Sequence, residues 1–473
     1  MAIETALKAG ASYVDIRLVE RRLSAIIVKN DNVESLTENV SGGFGVRALA
    51  DGSWGFSSSS GMENGEIRRV AEEAVRIARA SARVRREEVS LAEVGSKEGS
   101  YRSAFRMDPW DVPLEEKMEL LMDAQRTPSK DEAIKVRKAQ FQAFRERKTF
   151  ASSEGSYIEQ DILQSGAGIE VLALRSGEVH KRSYPAPFGG NFRTAGWEFI
   201  ESMDLVGNAE RTAREAVALL DAKKCPSGKR DVIIGTNQLA LQVHESCGHP
   251  TELDRVLGME ASYAGTSFLT PDKLDSFRYG SEKVNIVADS MVEGGLGTFG
   301  YDDEGVPAKR VDLVREGIFV GYQNSRETAE LFGHETSGNM RADGWGRIPL
   351  IRMTNISLLP GDWDLDELVE DTDEGIYMET NKSWSIDDLR LNFQFATEVA
   401  WEIVGGELGE LIKYPNYTGI TYEFWRGCDA VCDEDRWHLW GVPNCGKGEP
   451  GQVARVGHGT SPARFRGVRV GVA

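Results

Sequence analysis

The sequence predicts an α+β protein, with an N-terminal α/β domain of strands and packed helices and a C-terminal, mainly antiparallel β domain of barrel-like form. Three observations support this prediction. At 473 residues, the chain is too long for one ordinary hydrophobic core. Its first half contains amphipathic helical segments that follow alternating, strand-like segments. Its second half is rich in glycine and in short apolar runs that are typical of strands.

The N-terminal half begins with a short helical segment. The alternation of apolar and polar residues then predicts two neighbouring strands, at 13–20 and 23–30. A glycine-rich meander with a turn at Asp51 and Gly52 follows, and an amphipathic helix is predicted over 64–84 with Asn64 as its cap. A second unit, over 113–222, again combines strands with helices, so we expect sheets that are covered by helices.

The stretch from Ala222 to Gly228 contains lysine, proline and glycine, which is typical of a boundary between domains. We therefore expect an N-terminal α+β domain over 1–222, a linker over 223–229 and a C-terminal β-rich domain over 230–473. Strand-like runs dominate the last of these, and few helices are expected in it.

The composition excludes several classes of protein. A formal net charge of −19 argues against nucleic acid as the main partner, because phosphate binding requires a concentrated positive surface. The sequence contains neither the run of about 20 apolar residues that a membrane helix requires nor a recognisable secretory leader. Five cysteines in so long a chain do not form a disulfide framework. We therefore expect a cytoplasmic protein with no membrane partner.

A short motif in the second half predicts the chemistry. Residues 231–253 have the pattern of a strand, a turn and a helix, with Thr236 or Asn237 as the helix cap. The last turn of this helix carries His244, Glu245 and His249. A neutral imidazole binds a divalent metal, and an adjacent carboxylate can deprotonate a water molecule. The motif therefore indicates a metal-binding helix of a zinc hydrolase, with zinc as the cofactor.

The spacing of the two histidines differs from that of the common HExxH motif. His249 follows His244 by five residues, which places it about 140° away around a regular helix. A π-type turn, with hydrogen bonds between residues i and i+5, would bring both imidazoles to one side, and Gly248 reduces its cost. In the alternative interpretation, Cys247 is the ligand and His249 caps the end of the helix.

A catalytic zinc site takes three protein ligands and leaves one position open, so a third ligand is needed. The candidates are the other histidines and cysteines of the C-terminal region together with one N-terminal histidine, namely His180, His334, His438, His458, Cys428, Cys432 and Cys445. Glycine and proline flank Cys445, which predicts an exposed turn that is able to approach a metal. Cys428 and Cys432 have CxxxC spacing and, with His438 and Cys445, would form a separate structural zinc site, but the His-Glu motif would then be unexplained.

An acidic loop, Asp302 to Glu304, lies between glycines. Calcium binding is one interpretation of such a cluster. We expect instead that these acids are solvated or accept hydrogen bonds from turn amides.

Several segments resemble one known family. They are HESCGHPTELDRVLGMEASYAGTSF, GTFGYDDEGVPAKRVDLVREGIFVGYQNSRETAELFG, SGNMRADGW and VPNCGKGEPGQVARVGHG, together with SYVDIRLVERRLSAIIVKN and SGGFGVRAL near the start. These segments resemble the TldD branch of the TldD/PmbA family of zinc metallopeptidases. The resemblance extends over nearly the whole chain, and the combination of HExxxH with a late CGK is specific.

The resemblance implies a role for each residue of the motif. His244 and His249 would be zinc ligands, Cys445 of the CGK segment would be the third ligand, and Glu245 would be the general base. It also implies a peptidase that degrades unfolded or short peptides inside a closed cavity. Such a protein pairs with a second copy of itself or with a relative that lacks the motif.

Two other functions are compatible with the residues. One is a non-catalytic, chaperone-like peptide binder, although the intact set of His244, Glu245, His249 and Cys445 counts against it. The other is a zinc amidase or esterase that acts on a small molecule.

Overall fold

The computed structural model describes residues 1–127 and 131–471. With 24% helix and 43% strand, it confirms the predicted α+β class. The N-terminal elements are α1 (Ala2–Lys8), β1 (Tyr13–Lys29), β2 (Asn32–Ala50), β3 (Ser53–Ser59), α2 (Asn64–Ala82), β4 (Glu98–Arg102), α3 (Leu114–Arg126), β5 (Ile134–Ser152), β6 (Tyr157–Arg175), β7 (Glu178–Tyr184), β8 (Asn191–Arg193), α4 (Trp197–Ser202) and α5 (Leu205–Asp221).

The N-terminal elements build one long, curved sheet with the strand order β3-β2-β1-β5-β6-β4, to which β7 and β8 add by pairing with β6. The two strands predicted at 13–20 and 23–30 are wrong, because β1 is continuous. Arg21 and Arg22 stay in register with β2, and Arg21 is paired with Glu146 of β5 at 2.6 Å. The predicted turn at Asp51 and Gly52 is confirmed, since both residues have positive φ between β2 and β3.

Helices cover this sheet in two groups. α1 and α2 share a core with β2, into which α2 inserts Val70, Ala74 and Ala78. α3, α4 and α5 share a second core with β5 and β6. Asn64 is the first residue of α2 but not its cap. Glu63 takes the cap position, and no side chain caps the helix.

The strands and helices of the C-terminal half are, on average, shorter than those of the N-terminal half. They are β9 (Lys223–Lys224), β10 (Gly228–Ile234), α6 (Thr236–Val243), a π-helix (His244–Gly248), a 3-10 helix (His249–Thr251), α7 (Leu253–Val256), α8 (Ala261–Ala264), a 3-10 helix (Pro271–Lys273), β11 (Ile286–Asp289), β12 (Arg310–Arg315), β13 (Ile318–Phe319), α9 (Arg326–Phe332), β14 (Met340–Arg341), β15 (Leu350–Ile351), β16 (Ile356–Leu358), α10 (Leu365–Glu370), β17 (Glu374–Ile386), β18 (Asn392–Val404), β19 (Glu407–Lys413), β20 (Asn416–Ile420), α11 (Thr421–Arg426), β21 (Cys428–Val431), a 3-10 helix (Glu434–Arg436), β22 (His438–Lys447), β23 (Gln452–Thr460) and β24 (Ala463–Val470).

Five of these strands close into a barrel, as predicted. Their order is β17-β10-β24-β20-β18, and β18 pairs back with β17. α6 contacts β17 of the barrel and also β23 of the β22–β23 hairpin, and its Leu239 and Val243 belong to the same hydrophobic core as the barrel strands. The barrel and this hairpin therefore hold α6 between them.

The predicted domain boundary stays a prediction. β9, inside the stretch predicted as a linker, pairs with β19, and β10 begins at Gly228. Residues 472 and 473, at the end of the predicted 230–473 domain, lie outside the described residues. Among the helices that the structure describes, none is both long and apolar enough to span a membrane.

The acidic loop from Asp302 to Glu304 joins the two halves of the chain. Asp302 accepts hydrogen bonds from backbone N–H groups of its own turn, as predicted. The expectation of solvation is wrong, because all three acids are buried. Asp303 pairs with Lys148 at 2.6 Å and Glu304 with Arg47 at 2.9 Å, so arginine and lysine of the N-terminal sheet neutralise the loop.

Candidate metal centre

The HExxxH segment is not α-helical, and the change in helix type occurs at its first histidine. α6 ends at Val243, and His244–Gly248 forms a π-helix. The predicted π-type turn is therefore confirmed. It places the rings of His244 and His249 with centroids 4.9 Å apart. The predicted cap is wrong, because Gly235 occupies the cap position and no side chain caps the helix.

Gly248 permits this turn by its lack of a side chain. A Cβ at this position would lie 2.2 Å from Sδ of Met353, which packs against the turn. Met353 is fully buried and adjoins β16. The close approach of these two residues fixes the turn against the core.

The two imidazoles and one thiol converge on a common point. The donor atoms of His244, His249 and Cys445 all lie within 4.8 Å of one another, and Sγ of Cys445 is 3.7 Å from Nε2 of His249. The exposed turn predicted at Cys445 is wrong, because Cys445 is buried within β22. Its carbonyl accepts a hydrogen bond from Nη2 of Arg352 at 2.5 Å. These three buried residues could hold one metal ion.

A chain of hydrogen bonds fixes which nitrogen each histidine presents. Nδ1 of His458 donates to the carbonyl of Ile356 at 3.0 Å, so Nε2 of His458 is left as an acceptor. Nδ1 of His244 then donates to that Nε2 at 2.8 Å. Nδ1 of His249 donates to Oε2 of Glu252 at 2.8 Å. Both ligand candidates therefore direct an unprotonated Nε2 toward Cys445, as metal coordination requires.

The electrostatics of the cluster also suit a cation. Burial opposes ionisation of Cys445, but His244, His249 and Arg352 together hold the pKa of its thiol well below the usual value. Burial holds the pKa of His249 well below its usual value, so this ring is neutral. Burial lowers the pKa of His244, but the charge of Cys445 outweighs this effect and raises it. The cluster thus stabilises a thiolate that attracts positive charge, from a proton or from a metal.

Glu245 follows His244 in the π-helix and forms an ion pair with Arg390. Its Oε2 accepts a hydrogen bond from Nη1 of Arg390 at 2.5 Å. Arg390 lies in the loop between β17 and β18 and has a φ of 62°. Asp387 holds this loop by accepting the backbone N–H of Leu391 at 2.8 Å. The second carboxylate oxygen of Glu245, Oε1, is left for other contacts.

The other candidate ligands lie outside this cluster. Cys247 is fully buried, and burial raises the pKa of its thiol. Cys428 and Cys432 are likewise buried with raised pKa values, again through burial. His438 is exposed and contacts the carbonyl of Arg436. Within the described residues, the alternative structural site of Cys428, Cys432, His438 and Cys445 does not form.

The sequence did not indicate the roles of three residues of this centre. His458 was a candidate ligand but lies behind His244 as its hydrogen-bond partner. Glu252 was not considered, although its position three residues after His249 is a helical spacing that could have indicated a contact. Arg390 has no local signal, because 145 residues separate it from Glu245.

Two imidazoles, a thiol and a buried carboxylate that an α+β fold brings together form the type of site that metal-dependent hydrolases use. The particular family follows from comparison with known sequences. The chain belongs to the PmbA/TldA metallopeptidase family, and the family models match as domain 1 (residues 14–78), the central domain (residues 108–220) and the C-terminal domain (residues 227–472).

Individual relatives extend over the whole chain. A metalloprotease of Methanocaldococcus jannaschii is 32% identical, with 97% of this chain and 96% of that protein covered. A zinc metalloprotease TldD homolog of Saccharolobus solfataricus is 24% identical, with 99% and 98% covered. The crystal structure of TldE from Thermococcus kodakarensis has a TM-score of 0.75 at 17% identity, with 99% of each chain covered, and so has the same fold.

Proposed function

We propose that this chain is a zinc peptidase of the TldD branch that hydrolyses unfolded or short peptides. His244, His249 and Cys445 hold one zinc ion, and Glu245 is the general base. The single observation that carries this proposal is the convergence of the three donor atoms within 4.8 Å. The name of the Saccharolobus solfataricus relative supports both zinc and the TldD branch.

Each residue of the centre has a distinct role in the proposed hydrolysis. When bound, zinc supplies a Lewis acid that acidifies water and polarises the peptide carbonyl. Oε1 of Glu245 takes the proton from the attacking water and later returns it to the leaving amine nitrogen. Arg390 holds Oε2 of the same carboxylate, which keeps Oε1 oriented. Glu252 and His458 keep the two imidazoles in the tautomer that leaves Nε2 free.

Replacing Glu245 with glutamine tests this assignment. We expect Glu245→Gln to bind zinc as the natural protein does, because the three donors are intact, and to lose peptide hydrolysis by at least about 100-fold. Zinc content and the turnover of a peptide library and of a panel of small amides, each with and without chelator, are the measurements. Glu282→Gln, at an exposed position, is the matched control.

The outcome separates the competing functions. Chelator-sensitive peptide fragments support the peptidase. Turnover of small amides alone would support the amidase, and zinc binding without any product would support the peptide binder. Full activity of Glu245→Gln would contradict the role of this carboxylate.

We further propose that the chain acts as a dimer, either with a copy of itself or with a relative that lacks the HExxxH motif. The structural similarity to TldE supports the second arrangement. The native mass of the assembly, purified with its endogenous partners, distinguishes the two.

A further inference from the structure

A cleft between the N-terminal sheet and the β22–β23 hairpin is rich in cations, although the chain as a whole carries a net charge of −19. The cleft has a volume of about 50 Å³, which is enough for one small polar group. Its charged lining includes Arg21, Lys148, Arg341 and Arg455. We call it the basic cleft.

The acids that line the basic cleft are already engaged. Glu146 pairs with Arg21 at 2.6 Å, and Asp303 pairs with Lys148 at 2.6 Å. Asp302 accepts backbone N–H groups, and burial together with a neighbouring glutamate raises its pKa to about 7. Near neutral pH this carboxyl is therefore partly protonated. Arg21 and Lys148 thus engage two of these acids, and part of the positive charge of the lining has no ion-pair partner among the described residues.

That charge resides on Arg341 and Arg455. Within the described residues, neither forms an ion pair with a carboxylate. Arg341 donates one hydrogen bond, from Nη1 to the carbonyl of Met353 at 2.9 Å. Arg455 donates one, from Nε to Oε1 of Gln164 at 2.6 Å, and its guanidinium lies 4.4 Å from the ring centroid of Phe144. Both side chains are half-buried and line the cleft.

The charged forms of these two guanidinium groups are disfavoured by burial and by neighbouring positive charges. Burial lowers the pKa of Arg341 to about 10, and the charge of Arg352 acts in the same direction. Burial also lowers the pKa of Arg455 to about 10, with Arg21 adding to the effect. Both groups remain charged at neutral pH. An anion bound to these guanidinium groups would offset this cost.

The basic cleft adjoins the metal centre. Ala454, which lines the cleft, is the strand partner of Cys445 in the β22–β23 hairpin. The carbonyl that Arg341 contacts belongs to Met353, whose side chain packs against Gly248 of the π-helix. A peptide that reaches the metal centre can therefore place one of its groups in the cleft.

We infer that Arg341 and Arg455 bind a carboxylate of the peptide substrate, and that the enzyme prefers peptides that carry one near the cleaved bond. This inference rests on the proposed function and deepens it. Guanidinium groups match carboxylates in geometry as well as charge, and such charge-assisted hydrogen bonds are among the strong ones. The carboxylate can come from a glutamate or aspartate side chain or from the C-terminus of the peptide.

Pairs of peptides that differ only in one carboxylate test the inference. One series compares a C-terminal carboxylate with a C-terminal amide, and the other moves glutamate or glutamine through each position of a short peptide. We expect kcat/KM to favour at least one acid over its amide by about tenfold. The series in which this preference occurs identifies the source of the carboxylate.

Substitution of the two arginines assigns the preference to the cleft. In the double variant Arg341→Gln with Arg455→Gln, we expect the ratio of acid to amide to fall to near one. The lysine pair, Arg341→Lys with Arg455→Lys, keeps the charge and should keep part of the ratio. Arg310→Gln, at an exposed position, should leave it unchanged.

A binding measurement separates this inference from the proposed function. The same peptide pairs are titrated onto the Glu245→Gln variant, with fluorescence anisotropy as the readout. Tighter binding of the acid than of its amide, lost when the two arginines are replaced, supports the inference even if no peptide is hydrolysed. Absence of hydrolysis by the natural protein would contradict only the proposed peptidase activity. Equal binding and equal kcat/KM of every acid and its amide by the natural protein would overturn the inference. A preference that survives in the double glutamine variant would do the same.

Discussion

At the scale of single residues, each metal donor depends on a second side chain that holds it in place. His244 forms a hydrogen bond with His458, and His249 forms one with Glu252. The sequence could indicate the donors in HExxxH because they lie in one short segment with metal-ligand chemistry. It could not indicate their supports, since a hydrogen bond such as that between His244 and His458 joins residues 214 positions apart.

Removing the support of His244 should weaken metal binding without removing a ligand. We expect His458→Ala to lower the affinity for zinc by about 10-fold to 100-fold, because the ring of His244 loses the partner that fixes its tautomer and orientation. Competition with a chromophoric chelator measures the affinity. His438→Ala, at an exposed histidine, is the control.

Thermal unfolding of both metal-free variants separates a local effect from a general loss of stability, since His458 is fully buried. An affinity for zinc equal to that of the His438→Ala control would contradict the role given to His458.

The third ligand candidate illustrates what a family resemblance adds. Reasoning from the residues left several histidines and cysteines open, and only the likeness of the CGK segment singled out Cys445. The structure brings Cys445 to His249 across 196 positions of sequence. No comparable sequence motif indicated Arg390, which has a positive φ in a distant loop.

At the scale of elements, the π-helix is the feature that the spacing of the histidines required. Two ligands five residues apart cannot lie on one side of a regular α-helix, so the sequence alone predicted the opened turn. The ends of helices were less predictable. Both Asn64 and the Thr236–Asn237 pair have residue types that cap helices, yet the caps are Glu63 and Gly235.

A side chain at Gly248 should distort the π-helix. In Gly248→Ala the new Cβ would meet Sδ of Met353 at 2.2 Å, so we expect a loss of about 1 to 3 kcal/mol in the free energy of unfolding and weaker zinc binding. Urea unfolding and zinc titration are the measurements. Gly65→Ala is the matched control, because a Cβ at Gly65 in α2 meets no atom within 4 Å.

Met353→Ala, combined with Gly248→Ala, should recover part of the zinc affinity by making room for the methyl group. A Gly248→Ala protein with the zinc affinity and stability of the Gly65→Ala control would show that the turn does not depend on this close packing.

At the scale of the whole molecule, buried ion pairs hold the acidic loop of the C-terminal half against the N-terminal sheet. Alternation and composition predicted the two types of sheet correctly but could not predict where the loop lies, because its partners come from strands more than 100 residues away. Glu304 pairs with Arg47 across 257 positions of sequence. The length of β1 was misjudged for a related reason, since the partner that accommodates Arg21 inside the strand, Glu146, lies in β5.

Glu304 should couple the unfolding of the two halves. Its Oε1 accepts from Arg47 at 2.9 Å, and its Oε2 accepts from the backbone N–H of Arg326 at 2.8 Å. In Glu304→Gln one oxygen becomes an amide NH₂ that faces a donor, while Arg47 keeps its ion pair with Asp15 at 2.7 Å.

We expect Glu304→Gln to lower the free energy of unfolding by about 1 to 3 kcal/mol. Urea unfolding should then separate into two transitions, because one of the ion pairs that join the halves is weakened. Asp312→Asn, in a surface pair with Arg315, should change the free energy of unfolding by less than about 0.5 kcal/mol. A Glu304→Gln protein that unfolds in one transition at the urea concentration of this control would show that Glu304 does not couple the two halves, which the pair of Asp303 and Lys148 also joins.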